Sequence, residues 1–268
     1  MNTAMTDLKR SMTYRTHQLR NRRALWLIII SVVVVLLVGA VFLIKYLRGR
    51  SPKPTTPPVA SSVWPDMPNK PQPLLRAFNG CAPEGTGGDP DLNRLKNRID
   101  EGQYVAIPFE EIEKLAWPKT IERHHRADWS ADDTATVSRY EGIPVSAEGY
   151  LALTRQEGEE SPNCKRTEPA FHDFHIWLTK NAGEDRTQSI VVEMTPGVRA
   201  QHHNWTTEVL ARIVKDKLKV RISGWLLLDP EHPDQVGKTR GTIWEIHPVI
   251  KFEVEQNSHW VGLDDLSK

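Results

Sequence analysis

The residues most able to do chemistry cluster near the C-terminus, in TRGTIWEIHPV, residues 239–249. Arg240, Trp244, Glu245 and His247 fall within eight positions. A carboxylate and an imidazole two apart suit an acid/base pair or half of a metal site. They equally suit two solvated side chains on an ordinary strand. On a strand such i, i+2 neighbours share a face, roughly 6.5–7 Å apart. What they can do depends on what neighbouring segments bring to that face.

Those segments read as strands from Gly142 onward. Val145, Ala147, Gly149, Leu151 and Leu153 alternate with Ser146, Glu148, Tyr150 and Thr154. Phe174, Ile176 and Leu178 then define one face, and Ile190, Val192 and Met194 another. NWTTEVLARIVKDKL, residues 204–218, switches to helical period. Trp205, Val209, Leu210, Ile213 and Val214 form its stripe, with Asn204 or Thr206 as cap. Val220, Ile222, Gly224, Leu226 and Leu228 return to strand period. Trp244, Ile246, Ile250, Phe252 and Val254 close the series. The order β-β-β-α-β-β is that of an OB-fold, a small five-stranded Greek-key barrel. The reading is therefore mostly β, an antiparallel OB-fold-like barrel over 142–255, with another small barrel or sandwich as rival. Glycines 149 and 224 suit bent barrel strands.

This framework turns a set of polar residues away from the core. Asp173, His175 and Trp177 lie opposite the apolar face of the second strand. Glu193 does so on the third, and Glu245 and His247 on the fifth. In an OB barrel these strands adjoin, and the face of the second and third is a common ligand site. Three readings stand. One is a solvated face with weak cross-strand pairs. The second is a binding platform for an oligosaccharide, peptide, nucleic acid or partner protein, built from Asp173, His175, Trp177, Glu193, Glu245 and His247, with Lys238 and Arg240 from the loop 229–241 holding an anionic group. The third is a metal-dependent hydrolase or nuclease with His175, His247, Glu193 and Glu245 as ligands for a divalent ion. The binding platform is preferred over an enzyme, and an envelope interaction protein with no small ligand is a further alternative. The solvated-face geometry predicts that Glu245→Ala or His247→Ala costs little stability.

Other motifs carry less. GTGGDPDLNRLKNR, 85–98, lacks the Gly-Lys-Ser/Thr of a phosphate loop. Asp89 as cap and Pro90 at the first helical position explain it, with Leu92 and Leu95 packing one face. IPFEEIEKLAWP, 107–118, reads as a short helix with Phe109, Ile112, Leu115 and Ala116 inward. The adjacent His124 and His125 share no face. QHHNW, 201–205, offers helix-start N–H groups to an anion.

The chain has 268 residues and a net charge of +1, which gives no global field toward nucleic acid. Ala24–Ile44 is an uncharged apolar run, long enough as a helix for a bilayer of about 30 Å. Basic residues follow it where a signal peptide would carry small cleavage-site residues. Lys9, Arg10, Arg15, Arg20, Arg22 and Arg23 precede it; Lys45, Arg48, Arg50 and Lys53 follow. That excess predicts a cytoplasmic N-terminus and a periplasmic or extracellular C-terminal domain. The expected layout is a basic tail 1–23, a transmembrane helix 24–44 in the inner or plasma membrane, a Pro-rich linker 45–73, a helical or irregular extension 74–141 packed on the barrel, the barrel 142–255, and a tail 256–268. In such a compartment Cys81 and Cys164 are compatible with one disulfide, and equally with two buried thiols.

GWLLLDPEHPDQVGKTRGTIWEIHPV, 224–249, with DFHIWL, 173–178, and DPDLNRLKNR, 89–98, resembles a family of uncharacterised bacterial exported or membrane-anchored proteins. The similarity covers roughly 75–255. It implies kinship and no particular activity.

Overall fold

The computed structural model describes residues 63–266, together with Leu36. The expected membrane span therefore lies outside the described residues, apart from Leu36. Among the described residues no helix is long and apolar enough to cross a membrane.

The described chain is mostly β. Its strands are β1 (Val105–Ala106), β2 (Pro144–Gln156), β3 (Phe174–Thr179), β4 (Ile190–Met194), β5 (Lys219–Leu228), β6 (Trp244–Gln256) and β7 (His259–Gly262). The order β2-β3-β4-β6-β5 closes back onto β2, giving a five-stranded barrel consistent with an OB-like fold. All pairs around the barrel are antiparallel except β4 with β6, where Val191 faces Glu245 and Val192 faces Ile246. Helix α5 (Thr207–Asp216) connects β4 to β5 and packs on β2. Of the two expected caps, the Thr206 hydroxyl accepts from the Val209 N–H.

The barrel interior follows the alternation. Val145, Ala147, Leu151, Ile176, Leu178, Val192, Met194, Ile222, Leu226, Trp244, Ile246, Phe252 and Val254 are buried in one cluster. Two positions depart from it. A register shift between Leu151 and Leu153 turns Leu153 outward, 39% exposed, because the bulge adds one residue to β2. Irregularities near Gly224 likewise place Val249 in the core and leave Ile250 half-buried. Two glycines permit close strand crossing. A Cβ on Gly149 would stand 2.3 Å from the Thr179 carbonyl oxygen, and one on Gly224 2.2 Å from that of Pro248.

A second layer covers much of the barrel's outside. It contains α1 (Pro90–Lys96), α2 (Phe109–Glu113) and α3 (Ala131–Val137), with β1 running parallel to β2. Asp89 caps α1 by accepting from the Asp91 and Leu92 N–H groups, with Pro90 at the first helical position. Its buried face is Leu92, Asn93 and Lys96, whereas Leu95 is only half-buried, so the expected Leu92/Leu95 stripe is corrected. In α2, Phe109 and Ile112 enter the main core, as does Leu115 beyond its end, while Ala116 stays exposed. The expected tail after 255 instead turns at Asn257 and Ser258 and pairs β7 with β6. The remaining short helix, α4 (Pro196–Arg199), follows β4.

Candidate functional site: a buried charge cluster and an open groove

The outward faces of β3, β4 and β6 bring Asp173, His175, Glu193, Glu245 and His247 together, but not in solvent. All five are buried. The inward and outward faces are as the alternation implies, since Trp244 and Ile246 lie in the core. The expectation of a solvated outer face is therefore overturned, and with it an open binding platform at these residues. The reason is the second layer: Lys96 of α1 and the β2–β3 loop close over this face.

Within the cluster each group has a specific neighbour. His175 Nε2 is 3.0 Å from Glu193 Oε1, and its Nδ1 is 3.2 Å from Glu157 Oε1. His247 Nδ1 is 2.9 Å from Glu193 Oε2 and 3.6 Å from Glu245 Oε2. Arg240 Nη1 donates to Glu245 Oε1 at 2.5 Å and lies 3.5 Å from Asp229 Oδ2. Asp229 also receives His232 Nδ1 at 2.5 Å. Asn163 Nδ2 donates to Asp173 Oδ1 at 3.0 Å. Arg240 is thus committed to carboxylates and is not free to hold an anionic ligand, while Lys238 is exposed on its loop. Trp177 is buried, with Arg155 and Arg186 over its ring at 5.5 and 5.1 Å.

Low dielectric and close charges shift these groups strongly. Burial pulls His247 down, but the Glu193 carboxylate overrides it and raises the imidazole to about 10. His175 is raised to about 9 by the same contest, with Glu160 and Glu157 assisting Glu193. Burial would raise Glu193, yet the two imidazoles hold it well below the usual carboxylate range. Asp229 is likewise depressed, burial being outweighed by Lys96, His232 and Arg240. Glu160 is pushed up to about 8 by burial and by repulsion from Asp173 and Glu193.

Several of these atoms lack a directed hydrogen bond. Among the described residues, Asp173 Oδ2, Glu193 Oε2, Glu245 Oε2, His175 Nε2 and both ring nitrogens of His247 are buried without one. Donor atoms of Asp173, Glu193 and His247 lie within 4.8 Å of one another. The four residues expected to share a metal are adjacent, but the convergent trio replaces His175 and Glu245 with Asp173. The sequence showed Asp173 on the right face; its proximity to His247 depends on barrel closure.

The helix-start anion site at 201–205 is taken by the chain itself. Asp264 accepts from the Asn204 N–H at 3.1 Å and pairs with His202 Nδ1 at 2.6 Å. His202 stacks on Trp205, with centroids 4.1 Å apart.

The outer face that stays open lies over β2, β5 and β6, on the side away from the cluster. There a groove of about 530 Å³ runs past β1, with Tyr104, Ser146, Glu148, Arg221, Ser223, Lys251 and Glu253 among its walls. Its charges engage one another. Arg221 donates twice to Glu253, at 2.8 Å each, and Lys251 lies 2.9 Å from Glu253. Lys219 holds Glu148 at 2.6 Å, and the Ser223 hydroxyl donates to that of Ser146 at 3.1 Å. The Tyr104 hydroxyl is closed to solvent and has no hydrogen-bond partner among the described residues. Sequence reasoning missed this groove, because its walls come from three barrel strands and from Tyr104, Ala106, Ile107 and Pro108, far off in the chain.

Cys81 and Cys164 form a disulfide with Cα atoms 5.8 Å apart. It ties the extension to the β2–β3 loop that carries Glu157, Glu160 and Asn163.

No protein-family model matches this chain, and no curated protein is similar to it. Among solved structures it is similar to an aspartyl-tRNA synthetase from Leishmania major Friedlin, at 10% identity over 60% of this chain and 22% of that one, with a TM-score of 0.28. The chain spans about a fifth of that protein's length. A likeness so slight supports no argument about fold or function.

Proposed function

We propose that this chain is a single-pass, membrane-anchored binding domain held outside the cytoplasm, and that its ligand lies in the groove over β2, β5 and β6. The observation that carries the reading is the character of that groove: an open concavity of about 530 Å³ whose lining cations Arg221 and Lys251 are matched in number by Glu148 and Glu253, beside hydroxyls and a tyrosine. Charges that engage one another present donors and acceptors with little net field. They suit an uncharged, hydroxyl-rich ligand better than a phosphate or a polyanion. The ligand class we assign is an oligosaccharide strand. The anchor supports a position at the envelope, where such polymers lie, and the Cys81–Cys164 bridge is of the kind that persists in oxidising compartments.

Full-length protein in detergent should bind members of a neutral glycan array, and Tyr104→Ala together with Lys251→Ala should weaken that binding at least tenfold without unfolding the domain. Binding that is confined to anionic glycans, or that survives both changes, would remove the groove from the reading. The hydrolase alternative is less well supported. A catalytic metal needs a position open to water and substrate, whereas Asp173, Glu193 and His247 are 1%, 2% and 0% exposed.

A further inference from the structure

We infer that Asp173, Glu193 and His247 form a closed site for one divalent cation of the zinc class, which staples β3, β4 and β6 together on the outside of the barrel. This inference is independent of the groove and of its ligand.

Three observations converge on it. First, donor atoms of the three side chains lie within 4.8 Å of one another, from three different chain segments. Around a tetrahedral zinc, with bonds of about 2.0–2.1 Å, donors stand roughly 3.3 Å apart. The trio must therefore close by about 1.5 Å at most.

Second, Asp173 is held in the manner of a metal ligand, with one oxygen anchored and the other free. Asn163 Nδ2 donates to Asp173 Oδ1 at 3.0 Å, and Asp173 Oδ2 is buried without a partner among the described residues. Glu193 stands between two imidazoles, His175 Nε2 at 3.0 Å from its Oε1 and His247 Nδ1 at 2.9 Å from its Oε2, so this carboxylate and the His247 ring already face one another. His247 is fully buried, and its Nε2 has no hydrogen-bond partner among the described residues. Unpaired polar atoms are costly in such surroundings, and a coordinated cation satisfies them.

Third, the chemistry of the donors fits. The donor set of two carboxylates and an imidazole suits zinc, with manganese next. Burial under the second layer makes this a closed, structural type of site.

Metal content decides the matter. Tag-free full-length protein, purified in detergent without chelator, should carry about one zinc per chain by mass spectrometry. Metal-free protein given one equivalent of Co²⁺ should develop the visible bands of a low-coordinate cobalt site, and zinc should abolish them. His247→Ala should lose the bands. Asn163→Ala should weaken zinc affinity by roughly 10–100-fold, as changes behind a ligand do, and Lys251→Ala in the groove should leave it unchanged. Where His247→Ala fails to fold, Asp173→Asn and the cobalt spectrum of the unaltered chain still decide. Wild-type protein that carries no stoichiometric metal and gives no cobalt bands overturns the site. So does cobalt binding that persists in both ligand variants.

Discussion

His247 Nδ1 lies 2.9 Å from Glu193 Oε2 across the parallel strands β6 and β4, with both side chains out of solvent. Each residue reads locally as the polar side of a half-buried strand. Together they belong to an interior with charges on both sides of the contact.

Burial reverses the mutational expectation for this face. Glu245→Ala removes the partner of buried Arg240, and His247→Ala removes a partner of buried Glu193. Breaking a buried pair from one side costs about 3–5 kcal/mol. Lys238→Ala, on the exposed loop, should stay within about 0.5 kcal/mol. Urea unfolding of the three variants checks this. Equal midpoints would place Glu245 and His247 in solvent after all.

Alkali should weaken the chelator-treated protein. His175 and His247 stand at about 9 and about 10, above their ordinary 6.5, and Glu160 at about 8, above 4.5. A folded-state value raised above the unfolded one gives stability that is complete below the unfolded value and lost as pH rises through the folded one. The denaturation midpoint should therefore fall between pH 6.5 and 10. Glu193 and Asp229 act oppositely: their depressed values give stability that is present at neutral pH and lost on strong acidification. The groups facing the two imidazoles are Glu193, Glu157, Glu160, Glu245 and Lys96. A midpoint that is constant from pH 6 to 10 would contradict the pairing.

The Cys81–Cys164 bridge closes a separation of 83 residues. The loop-entropy account gives an upper figure of about 4.5 kcal/mol for such a loop. Replacing both cysteines with alanine should lower stability toward that limit and loosen the β2–β3 loop first. Hydrogen exchange should show earlier opening at residues 157–173 than in the barrel strands. Uniform exchange across the two would count against this anchoring role.

The location outside the cytoplasm rests on six basic residues before the apolar run against four after it. A C-terminal alkaline phosphatase fusion should be active, and a fluorescent fusion that matures only in the cytosol should stay dark. The opposite pair of results would place the domain inside the cell.

By itself the sequence determined the main barrel strands, the long helix and most of their inward faces. Ile176, Val192, Leu226, Trp244 and Ile246 follow period two, and that period needs no knowledge of distant residues. Asp89 followed by Pro90 marked the start of α1 for an equally local reason. The strand-helix order pointed to a barrel of the observed kind, with a sandwich as the rival. Tertiary structure alone decided what covers the other face. Asp173, His175, Glu193, Glu245 and His247 carry polar side chains, and a one-dimensional reading places such side chains in water. They are buried because Lys96 arrives from elsewhere in the chain and Arg240 from the adjoining loop, both with opposite charge, and because Asn163 supplies a hydrogen bond. Hydropathy cannot register such pairing. The lid is itself polar, and each charge is tolerable in the interior only beside the partner that folding brings to it.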